Sequence, residues 1–288
     1  MLMAKQTEPG WINLAVGEPG ALQGILLTKV DAFLQNSRVS YGYPTSDGDY
    51  HLRALIANSS LVSDAEQVVV TNGAKQALMA SLYAYRKLGA SIVAHRIPFW
   101  PSYATMAHMM TMMFAPNGDK GRHAPGEHPE IVRINTSPNN PDGTVDESPC
   151  EIWDAAYAHP IYVPRFEAPE HETSVWSAAK LFGMSGDRIG WLRSSNPQIV
   201  KAATEYVEST TSGVSTRSQK RLGDVIRFCR ENPERADLLY AHVKSTMQFN
   251  RNMLVETLGL SEGFSFKRGM FLWFPSTALI DQRLHKAK

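Results

Sequence analysis

The sequence predicts an α/β protein built on a mainly parallel sheet. Three observations support this fold class. Short apolar runs recur through the first two thirds of the 288-residue chain, segments with helical spacing separate them, and turn residues end several of the runs. Strands that alternate with helices in this way are typical of βαβ units, which build parallel sheets.

The predicted strands are short and apolar, as buried strands of parallel sheets are. Val68–Thr71 (VVVT) is followed by the turn signal Asn72-Gly73, and helical spacing then extends over Ala74–Tyr85. The other strand candidates are Ser91–Ala94, Ile131–Ile134, Glu151–Trp153, Ser174–Trp176 and Ile189–Arg193.

Two further segments of this half differ in composition. The Met-rich stretch Ala104–Phe114 contains a cluster that we interpret as the core side of a helix, although methionines also suit an adaptable pocket. Pro116–Pro129 (PNGDKGRHAPGEHP) has the glycines and prolines of a surface loop.

After Asn196 the pattern changes to long helical stretches over Pro197–Ser212, Thr216–Glu231 and Pro233–Leu258. Phe264–Phe274 then resembles an edge strand or a hairpin. The sequence therefore predicts three parts. They are an N-terminal arm with a substrate-site segment (1–40), a large α/β domain (41–195), and a bridging helix with a shortened, smaller α+β domain (196–288).

Composition excludes several classes of protein. The 29 Lys+Arg nearly balance the 28 Asp+Glu, which gives a net charge of +1 and no electrostatic footprint for nucleic acid or an anionic membrane. No apolar stretch is long enough to span a membrane, and the first residues lack the apolar core of a signal peptide. Two cysteines indicate a reducing compartment, so we expect a cytoplasmic protein. No metal-site or nucleotide-loop motif occurs.

The most informative segment is Ser174–Trp191 (SVWSAAKLFGMSGDRIGW). Lys180 follows an apolar run, and an apolar site lowers the pKa of a lysine, which makes its amine a nucleophile or base. Ser177 and Arg188 offer a hydroxyl and a guanidinium, which suit a phosphate. Together these groups match the needs of a Schiff-base cofactor such as pyridoxal 5′-phosphate (PLP).

Spacing alone leaves two other interpretations of this segment. Lys180 could be a solvated surface lysine and Arg188 an unrelated ion-pair former. Ser-x-x-Lys also occurs in penicillin-recognising hydrolases, but the Ser-Asp-Asn and Lys-Thr-Gly elements of that family do not occur here.

The pattern S-x-x-K-x-x-G-x-x-G-x-R-x-G-W resembles the lysine region of fold-type-I PLP enzymes, the class I/II aminotransferase superfamily. It is similar to the branch that contains plant alliinase and the tryptophan aminotransferases, and further motifs match in family order over nearly the whole chain. The resemblance implies a large domain with helices on both faces of the sheet, PLP as cofactor, and a homodimer with shared active sites.

The N-terminal matches concern the substrate and the phosphate. In NLAVGEPG the resemblance implies that Gly17 approaches the substrate carboxylate. In YGYPTSDGDYHLR it implies that Tyr43, with Tyr41 as second choice, reaches the phosphate of the neighbouring subunit. In VTNGAKQAL the backbone N–H groups of Gly73, Ala74 and Lys75 would hold the phosphate at a helix start.

The remaining matches surround the pyridine ring. By resemblance Trp100 stacks on the ring, Asn140 of SPNNPDGT donates to the phenolic oxygen, Asp154 pairs with the ring nitrogen and Tyr157 donates to the phenolic oxygen. Without the resemblance, Trp100 is a core residue, Asn140 belongs to a turn and Asp154 begins a helix.

The resemblance implies transamination between an L-amino acid and a 2-oxo acid, with Lys180 as the general base and acid. The same residues support β-elimination of the alliinase type, although the cysteine-rich insertion of the plant lyases does not occur here. The family binds the substrate carboxylate through an arginine beyond the GMFLWF strand. Arg283 does not match that motif, so a shortened, non-catalytic PLP-binding homologue is a further alternative.

Overall fold

The computed structural model describes residues 42–58, 62–117, 125–163, 168–259 and 268–273. Several predictions fall outside these residues. They concern the N-terminal arm with Gly17, the second-choice Tyr41, the tail with Arg283, and most of Phe264–Phe274.

Seven strands of the described residues form one sheet, and four neighbouring pairs are parallel. The strands are β1 (Val68–Thr71), β2 (Ile92–His95), β3 (Met113–Pro116), β4 (Ile131–Thr136), β5 (Cys150–Asp154), β6 (His171–Ser177) and β7 (Gly190–Ser194). Their order is β1-β7-β6-β5-β4-β2-β3, and β7 is antiparallel to both of its neighbours. The predicted mainly parallel sheet is therefore confirmed.

Helices cover both faces of this sheet. They are α1 (Tyr50–Ala57), α2 (Val62–Glu66), α3 (Ala74–Lys87), α4 (Ser102–Met109), α5 (Ala178–Leu181), α6 (Pro197–Thr211), α7 (Thr216–Glu231) and α8 (Pro233–Thr257). Successive residues of β1 show the two layers: Val69 packs in a core with α3, α4 and α6, whereas Val68 and Val70 pack with α1, α5 and α7. Because side chains alternate across a strand, a strand buried on both faces must be apolar at every position.

Helices α6 and α7 thus belong to the two cores of the sheet. Among the described residues the hydrophobic core does not break at residue 195, where the sequence places its domain boundary. The division into a large and a small domain stays a prediction.

The parallel strands bring their carboxyl ends to one edge of the sheet. Thr136 pairs with Asp154 across β4 and β5. At the other end of the edge, Gly190 of β7 pairs with both Thr71 and Ser177, the last residues of β1 and β6. Polar side chains at the strand ends therefore meet although they are far apart in sequence.

Two segments differ from the sequence-based expectation. Residues 113–116 form a parallel edge strand beside β2 rather than the end of a helix and the start of a loop. The Met-rich stretch is accordingly only partly core, with Met106 buried but Met109 and Met113 exposed. Residues 268–270 form bends and residues 271–273 are irregular, so neither part is a strand; Gly269 has a φ of 82° and its carbonyl accepts from Arg251.

Candidate active site

Asp154 lies at the carboxyl end of β5 and is 4% exposed. The Ala156 N–H donates to its Oδ1 at 3.1 Å, and the Tyr103 hydroxyl is hydrogen-bonded to its Oδ2 at 2.7 Å. Burial raises the pKa of Asp154, and the two hydrogen bonds and the charge of Lys180 offset only part of this effect. Asp154 thus ends a strand rather than beginning a helix. Its buried carboxylate would be stabilised by a neighbouring cation or hydrogen-bond donor.

Lys180 lies in the short helix α5, directly after β6, and is half-buried. The carbonyl of Ala178 accepts from the Phe182 N–H at 2.9 Å, which closes the turn of α5. The Tyr162 hydroxyl donates to the Lys180 carbonyl at 2.7 Å. The carboxylate that the sequence predicts as catalytic therefore ends β5, and the predicted amine follows the end of the neighbouring strand β6 by three residues.

Tyr157 lies near both Asp154 and Asn140. Burial, followed by the charge of Asp154, raises the pKa of the Tyr157 hydroxyl, while a side-chain hydrogen bond with Asn140 lowers it. The structure thus brings together the two side chains that were predicted to share the phenolic oxygen. Because the hydroxyl stays protonated, it can serve as a hydrogen-bond donor.

The Asn140 loop is held by a network around Asp142. Its carboxylate accepts from Asn139 at 2.8 Å and from the Thr144 N–H and hydroxyl at 3.1 and 2.9 Å. Burial alone would raise the pKa of Asp142, but these bonds, together with Arg96, lower it to about 2. The loop that carries Asn140 is therefore fixed by the hydrogen bonds that Asp142 accepts.

Trp100 precedes α4 and is partly buried. Its ring meets Tyr103 edge-on, with centroids 5.4 Å apart, and the Lys75 ammonium lies 5.3 Å from its centroid. The structure therefore places the predicted stacking residue beside the start of α3, where the phosphate was predicted to bind.

The phosphate residues meet where β1 ends and α3 begins. Gly73 has a φ of 80°, and its N–H donates to the Thr71 carbonyl at 2.8 Å, so this N–H is already used within the turn. The N–H groups of Ala74 and Lys75 start α3 and have no acceptor within the helix. An anion at this position would receive both of them and the positive end of the helix dipole.

Ser177, the last residue of β6, and Arg188, two residues before β7, close this corner. A Cβ on Gly73 would lie 2.8 Å from Nη2 of Arg188, so the guanidinium lies directly against the turn. A Cβ on Gly190 would lie 2.7 Å from the Ala74 nitrogen, and glycine is therefore required there. Ser177 ends β6 beside Gly190 and is 6% exposed. The resulting cradle suits a phosphate.

Tyr43 is 93% exposed and lies outside this group within the chain. Its prediction concerned the neighbouring subunit, so its role stays a prediction. Among the described residues no cluster of histidine, cysteine and carboxylate side chains could hold a metal ion. No helix in the described ranges is both long and apolar enough to cross a membrane.

Sequence reasoning missed a buried polar chain behind Asp154. Tyr103 contacts Thr136, and Thr136 contacts His95, each through a side-chain hydrogen bond. Two signals point to these residues: His95 and Thr136 are the last residues of parallel strands, and Tyr103 lies one helical turn after Trp100.

The family model described as Allinase matches residues 48–270, more than half of the chain. Tryptophan aminotransferase-related protein 2 of Oryza sativa subsp. japonica is 28% identical over 243 residues, which cover 76% of this chain and 46% of the rice protein. Alliin lyase 2 of Allium sativum is 24% identical over 199 residues, 67% of this chain and 38% of that protein. The chain spans less than half the length of these relatives.

Solved structures show the same fold. A double mutant of Thermus thermophilus aspartate aminotransferase superposes with a TM-score of 0.63 over 85% of this chain and 72% of the enzyme, at 20% identity. The Thermotoga maritima aspartate aminotransferase gives a TM-score of 0.62 over 90% and 74%, at 22% identity. The family match shows that the chain belongs to the allinase family, within the fold-type-I superfamily of PLP-dependent aminotransferases, and the solved structures agree in fold.

Proposed function

We propose that the chain is a PLP-dependent aminotransferase that exchanges an amino group between an L-amino acid and a 2-oxo acid. PLP is the cofactor of the family. The observation that carries the proposal is the convergence of Asp154, Lys180 and the cradle of Gly73 and Arg188 at one edge of the sheet. A buried carboxylate, an amine and a phosphate cradle are the groups that this cofactor requires.

Bound PLP supplies an aldehyde that condenses with amines and a ring that accepts electrons from the substrate Cα. The cradle would hold its phosphate through the N–H groups of Ala74 and Lys75, the Ser177 hydroxyl and the Arg188 guanidinium. Trp100 would pack on the ring face, and Asn140 and Tyr157 would donate to the phenolic oxygen. These contacts fix the reacting atoms relative to Lys180, which lowers the entropic part of the barrier.

Asp154 and Lys180 would supply the proton chemistry. Asp154, as a carboxylate, favours a protonated ring nitrogen, and this protonation strengthens the ring as an electron acceptor. The Lys180 amine would take the proton from the substrate Cα and would donate it to C4′, the carbon of the PLP aldehyde. A positioned acid–base group of this kind contributes a factor of about 10²–10⁴ to the rate.

β-Elimination is the second candidate, and the match to the family described as Allinase favours it specifically. The first proton transfer, by Lys180, is the same in both reactions. The outcomes differ in whether a leaving group departs from Cβ before the proton is returned. A non-catalytic PLP-binding role is the remaining alternative.

Visible absorption of the purified protein with PLP tests the proposal. We expect the absorption band of PLP joined to a lysine amine in the wild type and in Lys201→Ala, which changes an exposed lysine of α6. We expect no such band in Lys180→Ala. A band that persists unchanged in Lys180→Ala would contradict the assignment of Lys180.

Incubation of the loaded protein with amino acids then separates the three functions. Formation of pyridoxamine phosphate supports transamination, and release of ammonia with a 2-oxo acid supports β-elimination. A stable band without turnover supports the non-catalytic role.

The active unit that we propose is a homodimer in which the exposed Tyr43 reaches the phosphate cradle of the second copy. Sedimentation of the loaded protein tests this unit, since a monomer with full PLP affinity would contradict it. The cytoplasmic location stays a prediction.

A further inference from the structure

A hydrogen-bond chain of four buried side chains begins at Asp154 and ends at His95. Tyr103 lies 2.7 Å from Oδ2 of Asp154 and 2.6 Å from Oγ1 of Thr136, which lies 3.1 Å from Nε2 of His95. All four side chains are at most 4% exposed. They come from β5, α4, β4 and β2, so only the folded sheet assembles them.

At the other end of the hydrogen-bond chain, the backbone carbonyl of Arg96 fixes the tautomer of His95. Nδ1 of His95 lies 2.7 Å from the Arg96 carbonyl, which only accepts hydrogen bonds, so Nδ1 carries a hydrogen. In the neutral imidazole Nε2 is then an acceptor, and the Thr136 hydroxyl must donate to it. The Tyr103 ring stacks on His95 at 4.9 Å and 20°, which holds the imidazole in this orientation.

The number of available hydrogens shows that this hydrogen-bond chain lacks one proton when Asp154 is ionised and His95 is neutral. Three contacts link the four side chains, but the hydroxyls of Tyr103 and Thr136 supply only two hydrogens when Asp154 is ionised and His95 is neutral. One contact would then bring together two acceptors in a buried site, which is costly. A single additional proton completes all three hydrogen bonds.

That proton has two possible locations. On Asp154 it makes the chain run from Asp154 through Tyr103 and Thr136 to Nε2 of His95. On Nε2 of His95 it makes every hydrogen bond run in the opposite direction, and the Tyr103 hydroxyl then donates to the Asp154 carboxylate. The heavy atoms keep their places in both states, because hydroxyl groups donate and accept equally well.

We propose that Asp154 and His95 share one proton through the hydroxyls of Tyr103 and Thr136. The proton lies on Asp154 in the protein without cofactor and moves to His95 when Asp154 accepts the N–H of a protonated pyridine ring. In that step the Asp154 O–H bond breaks as a Tyr103 O–H bond forms. Tyr103 passes its former hydrogen to Thr136, and Thr136 passes its own to Nε2 of His95. Tyr103 and Thr136 are thus positioning residues for Asp154.

The surroundings of both ends agree with this order. Burial raises the pKa of Asp154, and burial lowers the pKa of His95 to about 4, so the proton favours Asp154 in the empty protein. Tyr103 and Lys180 face Asp154, and burial together with the charge of Asp154 raises the pKa of Tyr157. Around His95, the charge of Arg96 opposes a second proton, whereas the charges of Asp142 and Asp146 favour it.

This inference rests on the proposed function only in its second half, where a pyridine ring faces Asp154. The first half concerns the protein without cofactor and is tested separately. Failure of the proposed function would appear as the absence of a Lys180-dependent absorption band, whatever the protonation of Asp154.

Infrared difference spectroscopy of the full chain without PLP, wild type minus Asp154→Asn, tests the first half. We expect the carbonyl band of a protonated carboxylic acid at neutral pH. Nitrogen NMR of histidine-labelled protein, with His95 assigned by its loss in His95→Gln, should show the neutral Nδ1–H form. An ionised Asp154 together with a neutral His95 would overturn the proposal.

Addition of PLP tests the second half. We expect the carboxylic acid band to disappear and the His95 nitrogens to shift to the doubly protonated form. In Tyr103→Phe the carboxylic acid band should still disappear, but His95 should stay neutral because the hydrogen-bond chain is broken at Tyr103. Tyr206→Phe, a half-buried tyrosine of α6, serves as the control and should leave the His95 response intact.

Thr136→Val cuts the chain one link later and provides a second variant if Tyr103→Phe does not fold. A merely structural role for the two hydroxyls would leave the His95 shift unchanged in both variants, and that result would overturn the relay. A wild-type His95 that stays neutral in the loaded protein would overturn it as well.

Discussion

The Tyr162 hydroxyl donates a 2.7 Å hydrogen bond to the backbone carbonyl of Lys180. The Tyr162 ring also meets the Tyr157 ring edge-on, with centroids 5.8 Å apart. One buried tyrosine therefore connects the backbone of the predicted catalytic lysine with the ring of the predicted phenolic-oxygen donor. Since α5 has only four residues, an external hydrogen bond is an important constraint on Lys180.

Tyr162→Phe should destabilise the protein, because the Lys180 carbonyl loses its donor in a partly buried site. We expect the free energy of unfolding, measured by urea denaturation, to fall by about 1–3 kcal/mol. Tyr240→Phe is the control, since that hydroxyl donates to a weak acceptor, Sγ of Cys229, at 3.6 Å. An equal loss in both variants would contradict a specific role for the Tyr162 hydrogen bond.

Gly73→Ala should impair the phosphate cradle in two ways. The backbone of Gly73, with φ 80° and ψ 166°, is one that other residues adopt at a cost of about 1–3 kcal/mol. The new methyl group would also collide with Arg188. We expect PLP titration to show at least a tenfold weaker affinity. Gly186→Ala, with open space around its Cβ position, should bind PLP as the wild type does.

Stability should depend on the ionisation of Asp142 at low pH. Its pKa is about 2 in the folded protein against an ordinary value of 3.8, so the ionised form stabilises the fold. This contribution is complete above the ordinary value and is lost as the pH falls through about 2. Urea midpoints should decline over this interval, and Asp142→Asn should flatten the decline. The exposed Asp237→Asn is the control, and an unchanged slope in Asp142→Asn would contradict the assignment.

Glu151→Gln should strongly destabilise the sheet. Glu151 accepts from Nη2 of Arg133 at 2.7 Å and from its Nε at 3.0 Å, and both side chains are buried. Removal of the Glu151 charge breaks this buried ion pair, which costs about 3–5 kcal/mol. Glu205→Gln, which breaks the exposed pair with Lys87, should change stability little. The urea-unfolding free energies of the two variants test the difference.

The sequence was sufficient to predict most strands because their burial on both faces demands uninterrupted apolar runs. Val68–Thr71 illustrates this, since every one of its residues is buried. β3 was missed because it lies at the sheet edge, where Met113 is exposed and no apolar run is required. The described end of the C-terminal apolar segment is bent at Gly269 rather than extended, and apolar composition alone does not reveal such a bend.

The candidate site was predicted residue by residue from motif order, and the structure adds what motifs do not contain. Lys180 and Asp154 are 26 positions apart in sequence, and only the pairing of β5 with β6 makes them neighbours. The hydrogen-bond chain through Thr136 to His95 depends on the ends of three strands and on α4. The positions of these residues are visible in the sequence, at strand ends and one turn after Trp100, but the long-range contacts that join them are not, so the chain was not predicted.

The pairing of Gly190 with both Thr71 and Ser177 makes the cradle sensitive to the alignment of β7. A slip by one residue would exchange Gly190 for Trp191, and the indole would fill the space over the first N–H groups of α3. A phosphate ligand can therefore bind only the correctly aligned sheet. By mass action, such a ligand stabilises that alignment by RT ln(1 + [L]/Kd), where [L] is the concentration of free ligand. The cofactor would thus select the register of the strand that completes its own binding site.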